Sequence, residues 1–131
     1  MAADLELAEY LEDQSVGTVG ADLFAGTMPA GVVNAIGITQ YPGAPPELTC
    51  GSDGWTMEVS RLQVRVRNAD EATALSKAKD AAEALTKVAN QTIESVRYRA
   101  VTVLQSPGLL ERDASNNTVV GFNIEAEKVP S

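Results

Sequence analysis

From Val59 to Arg67 apolar and polar residues alternate, with Leu62, Val64 and Val66 on one side and Arg61, Gln63, Arg65 and Arg67 on the other. A period of two is the mark of a strand with one buried face. Asn68 then stands three residues before Glu71, a spacing like that of a capping box, and Ala72, Leu75, Ala78, Ala82, Leu85 and Ala89 follow at intervals of three and four. This predicts a helix from about Asp70 to Ala89 whose alanine-rich seam can approach a sheet closely.

Other segments repeat these two patterns more weakly. Leu5, Leu7, Ala8 and Leu11 predict a short amphipathic helix over Ala2 to Gln14, with Asp4 and Glu6 placed to complement its dipole. Asp22 to Gly26 reads as a brief strand, Met28 to Gly31 as a turn, and Val33 to Tyr41 as a second strand with Ile36, Ile38 and Gln40 on one face. Ser95 to Gln105 places Tyr98, Ala100, Thr102 and Leu104 opposite Arg97, Arg99, Val101 and Val103, and stops at Ser106-Pro107-Gly108. After a polar turn at Asp113 to Asn117, Thr118 to Lys128 sets Val120, Phe122, Ile124 and Ala126 against Asn123, Glu125 and Glu127; the two segments read as a hairpin with a long loop.

Between Pro42 and Trp55 stand three of the six prolines and three of the ten glycines, which predicts an irregular connection, a long loop over 41–57. Leu48, Cys50, Trp55 and Met57 are too apolar for a spacer, so burial against a partner is expected of it. One apolar face per strand and two amphipathic helices predict an α+β fold: a mostly antiparallel sheet of four to five strands covered by two helices, a two-layer sandwich forming a single domain over 1–131.

Composition narrows the function. Ten basic against eighteen acidic residues give a formal charge of −8, which repels phosphate and offers no footprint for nucleic acid. With no histidine and one cysteine, Cys50, neither a zinc site nor a thiol–imidazole pair can be assembled, and no cofactor is expected. The glycines at 17, 20, 51 and 54 lack the lysine–serine pair and helix of a phosphate loop, and no serine sits in a nucleophile elbow, so the expectation is not an enzyme. No apolar run approaches the roughly 20 residues of a membrane span. Met1 to Asp13 holds five acidic and no basic residues, the reverse of a leader, so a cytoplasmic origin is expected.

The arginines carry the remaining signal. Arg61, Arg65, Arg67, Arg97 and Arg99 fall on the non-core faces of two strands, and Glu125 and Glu127 on the matching face of a third. Cross-strand ion pairing and contact with a neighbouring subunit explain them equally well. With Leu48, Trp55 and Met57 they form the candidate interface set.

Several stretches resemble a known family: Gly17-Thr18-Val19-Gly20-Ala21-Asp22-Leu23-Phe24 after a short helix, Tyr41-Pro42-Gly43-Ala44-Pro45-Pro46-Glu47, Leu62-Gln63-Val64-Arg65-Val66-Arg67-Asn68, Leu104-Gln105-Ser106-Pro107, and Phe122-Asn123-Ile124-Glu125-Ala126-Glu127. In order and spacing they look like the minor capsid or tail-terminator proteins of long-tailed phages. The resemblance implies a virion protein assembled in the host cytoplasm, with no catalytic residues. It implies a ring, usually hexameric, that caps the tail tube and faces the head-side connector. Its partners would be further copies of itself, the tail-tube protein and the connector, with DNA passing through the lumen and no membrane contact. The alternatives are another phage neck or tail-tube protein, or a soluble ligand-binding or regulatory α+β domain.

Overall fold

The computed structural model of the chain describes residues 3–26, 28–29, 31–41, 47–48, 55–94, 96–112 and 116–128, with 47–48 and 55–58 described through their backbone. Among them the elements run α1 (Ala3–Asp13), β1 (Leu23–Ala25), β2 (Ala35–Tyr41), β3 (Glu47–Leu48), β4 (Trp55–Asn68), α2 (Glu71–Thr86), β5 (Ala89–Ile93), β6 (Val96–Val103), β7 (Gly108–Arg112) and β8 (Thr118–Lys128). The class is α+β, as the patterns predict. The sheet is larger than the four to five strands expected, and it is mixed.

Its order is β1-β2-β4-β8-β6-β5, with β3 on β4 and β7 on β8. β1 pairs in parallel with β2, Val19 forms a parallel bridge with Leu23, and every other pairing of the named strands is antiparallel. β4 and β8 form the centre, paired without a break from Glu58↔Lys128 to Asn68↔Thr118. On its other side β8 pairs with β6 over 124–128 and with β7 over 118–121. The expected hairpin of β6 and β8 therefore exists, but its long connection contains a strand of its own.

Three strands escape the periodicity argument. β5 carries one buried apolar residue, Ile93, and all of β7 but Gly108 is exposed, so neither shows an alternation. Within the connection expected to be irregular, residues 42–46 and 49–54, Cys50 among them, lie outside the described residues. The described remainder is regular: Glu47–Leu48 pairs with β4, which itself begins at Trp55. Backbone pairing needs no apolar side chain, which is why composition alone misled there.

β6 departs from simple alternation. Its register with β8 shifts between Tyr98 and Ala100, so Arg99 is the extra residue of a β-bulge. One inserted residue exchanges the faces beyond it. Tyr98 and Val101 are both buried and Thr102 is exposed, which corrects the expected grouping of Tyr98, Ala100, Thr102 and Leu104.

The core gathers Leu62, Val64 and Val66 of β4 with Val120, Phe122 and Ile124 of β8, all essentially inaccessible. α2 lies against β4, β8 and β6 and buries Ala74, Ala78, Ala81 and Leu85. That face is turned from the expected one: Ala72 is exposed, and Leu75 and Ala82 only flank the core. Ala89 belongs to β5 because the helix stops at Thr86, where the N–H of Lys87 reaches the carbonyls of Ala84 and Leu85. The N-cap is Asp70 and not Asn68. Asp70 accepts from the Thr73 hydroxyl at 2.7 Å and its N–H at 3.1 Å, and these bonds hold its carboxyl below the usual value.

α1 adds a feature that its pattern does not announce. Asp4 and Glu6 lie in its first turn as expected of the dipole, but Glu6 is also fully buried. Its Oε1 accepts from the Tyr98 hydroxyl at 2.7 Å and from Lys128 Nζ at 3.4 Å, while Oε2 has no partner among the described residues. The Tyr10 hydroxyl, at 2.8 Å from the carbonyl oxygen of Ala84, ties α1 to the end of α2. Among the described residues no helix is long and apolar enough to cross a membrane.

Candidate functional site

Because β4 buries Leu62, Val64 and Val66 on one face, Arg61, Gln63, Arg65 and Arg67 must stand on the other. The register arranges that face in rows. Arg61 sits between Tyr41 and Glu125, Gln63 between Thr39 and Asn123, Arg65 between Gly37 and Gly121, and Arg67 between Ala35 and Val119.

Each arginine does something different. Arg61 Nε reaches Glu125 Oε1, its cross-strand partner, at 3.1 Å. Arg65 crosses the glycine beside it to meet Glu111 of β7 at 2.6 Å, and its Nε is buried with no partner among the described residues. Arg67 is only 8% exposed and donates to the carbonyls of Pro29 and Val32, fixing the segment that leads into β2. On β6, Arg99 approaches Glu127 at 4.0 Å, and Arg97 is exposed with no ion pair among the described residues. Exposed pairs of this kind contribute about 0–1 kcal/mol each, so their value lies in fixing geometry more than in stability.

Glycine shapes the middle of the face. A Cβ at Gly121 would fall 2.7 Å from Leu110 Cδ1 and 2.7 Å from the Val64 carbonyl oxygen, and one at Gly37 would fall 2.6 Å from Met28 Cγ. Leu110 and Met28 therefore lean over the sheet only because both positions lack side chains. A cleft of about 310 Å³ opens there, floored by Gly37 and Val119 and walled by Arg65, Arg67 and Glu111. A neighbouring cleft of about 340 Å³ shares Thr39 and Gln63 with it and adds Tyr41 and Asn123.

Of the sequence-selected residues the structure brings Arg61 and Glu125 together, sets Arg99 near Glu127, and turns Arg67 inward to a backbone task. The side chains of Leu48, Trp55 and Met57 lie outside the described residues. Sequence reasoning missed Glu111, Gly37 and Gly121. A glycine inside each of two otherwise good strands was the available signal, since it commonly marks a close approach. Among the described residues no three His, Cys, Asp or Glu side chains gather where a metal ion could be held.

These features define a class: an α+β domain that offers a broad charged and cleft face on one side of its sheet. Known proteins narrow it further. The family model described as bacteriophage tail terminator protein matches residues 10–130, and the chain belongs to that family. Among curated proteins none matches. Among solved structures, a chain described as the virion of a native gene transfer agent (GTA) particle is similar in fold, with a TM-score of 0.66 and 17% identity over 98% of this chain and 96% of its own. A second solved chain reaches a TM-score of 0.52 at 13% identity, over 98% of this chain and 90% of its own. The protein is thus a structural component of phage tails.

Proposed function

We propose that copies of this chain form a closed ring, six in number, that caps the tail tube and joins it to the head-side connector. The observation that carries the proposal is the tail-terminator family match across residues 10–130. Both helices cover the sheet on the side of Leu62, Val64 and Val66, a two-layer arrangement that leaves the arginine side open to neighbours. Arg61, Arg65, Arg97, Arg99, Glu125 and Glu127 on that side, with Leu48, Trp55 and Met57 of the 41–57 segment, are the contacts to subunits or tube. A net charge of −8 lets DNA pass the lumen without adsorbing, because few phosphates would be neutralised. The protein acts by assembly and has no catalytic role.

Sedimentation velocity tests this, alone and with tail-tube protein. The expected result is a species of about six subunit masses that co-sediments with tubes and blocks their further growth. A chain that stays monomeric in both conditions and leaves tube length unchanged overturns it.

A further inference from the structure

Four large apolar side chains are well exposed among the described residues: Val33 at 43%, Leu104 at 46%, Leu109 at 54% and Leu110 at 46%. They are not scattered. Leu104 follows β6, and Leu109 and Leu110 belong to β7, which lies on the same side of β8 as β6, while Val33 precedes β2.

β7 pairs with β8 only, so its other edge presents unpaired backbone groups among the described residues. Proteins normally shield such an edge with charge, proline or a covering element. β7 carries charge at Glu111 and Arg112, but its first half presents leucine on both faces. Leu109 is the register partner of the core residue Val120, while Leu110, the extra residue of a bulge, lies over Gly121 on the arginine face. A strand laid along β7 would be gripped from both sides.

The opposite margin is β1. The N–H and carbonyl of Leu23 are spent on Thr18 and Gly20, and β2 takes the carbonyl of Asp22 and the N–H of Gly26. Ala25, exposed, is left with its backbone groups facing outward. The two margins end the same row, Leu23–Ile36–Val66–Val120–Leu109. Their polarities are opposed: β1 runs with β2 and against β4, and β7 runs against β8 and so with β4.

We infer that the free edge of β7 receives β1 of a second copy, antiparallel, extending the sheet from subunit to subunit. A copy brought alongside without being turned over presents its β1 in that polarity. The pairing places Leu109 opposite Ala25 and ends there, because Val19 already bridges the outer side of Leu23. The contact joins two different patches and therefore propagates head to tail, as a ring requires; β7 against β7 would stop at two. The inference rests on the ring reading above and names its interface.

The test uses the full chain in a Cys50→Ser background carrying Ala25→Cys and Leu109→Cys. Within one copy those positions lie four strand spacings apart, roughly 19 Å, beyond the reach of a disulfide. Oxidation under assembly conditions is expected to give a ladder of linked multimers, while neither single cysteine does. Leu109→Glu is expected to melt like wild type and to weaken assembly at least tenfold. Rings that form without a ladder, dimers linked by Leu109→Cys alone, or wild-type assembly of Leu109→Glu overturn the edge contact and leave the ring standing. A wild-type chain that never self-associates, with or without tube, removes both.

Discussion

The hydroxyl of Tyr98 donates a 2.7 Å hydrogen bond to Oε1 of Glu6, and neither side chain reaches solvent. The bond joins the first helix to a strand 92 residues away, and Lys128 supplies the positive charge at 3.4 Å. A carboxylate in the interior depends on such partners, because losing one leaves charge without compensation. Tyr98→Phe is expected to cost about 1.5–3 kcal/mol. Lys128→Met should cost about 3 kcal/mol, at the low end for a buried pair since the Lys128 side chain is 12% exposed. Adding Glu6→Met to Lys128→Met should recover part of that loss. Urea unfolding of the three variants measures this, and a Tyr98→Phe curve superimposed on wild type would show the bond to be idle.

The bulge at Arg99 yields a test by contrast. Val101 is 5% exposed and Thr102 is exposed, the reverse of unbroken alternation from Tyr98. Val101→Lys should therefore destabilise by upwards of about 2 kcal/mol, as a buried unpaired charge does. Thr102→Lys, opposite Glu125 on β8, should stay within about 0.5 kcal/mol of wild type. Thermal melts that rank the two the other way would mean that β6 has no bulge.

Gly121 and Gly37 flank Arg65 in one row, yet they should respond differently to alanine. The new methyl at 121 would press on the Val64 carbonyl at 2.7 Å, backbone at the centre of the sheet, whereas at 37 the nearest atom belongs to the flexible Met28 side chain and the nearest backbone atom, the Gly26 carbonyl oxygen, is 3.3 Å away. Gly121→Ala is expected to cost about 1–3 kcal/mol and Gly37→Ala less. Equal shifts in melting temperature would refute the distinction.

These positions also show how far the sequence could be read. β4 and α2 announced themselves because each buries a single continuous face, Leu62, Val64 and Val66 in one and the alanine seam in the other. The tail-terminator resemblance, carried by stretches from Gly17 to Glu127, was likewise visible. What stayed hidden had no side-chain signature. β5 and β7 exist through backbone pairing, and Arg99 looks like any alternating residue until its partner strand is known. The face of α2 was misplaced by one position in several, since alanines fall on all sides of that helix and only packing selects among them. Of the candidate face, the arginines were evident, but Glu111 joined them only when β7 folded back beside β8.

β8 is made after both strands it separates, and it pairs with β4 on one side and β6 and β7 on the other. A nascent chain that has emerged only as far as residue 112 holds β4 and β6 with no strand between them. The central pairings of β4 with β8, such as Val59↔Glu127, span up to about half of the sequence and close late. The sheet consequently cannot close until β8 has been made, and a chain cut short before Thr118 lacks the strand around which its core is built.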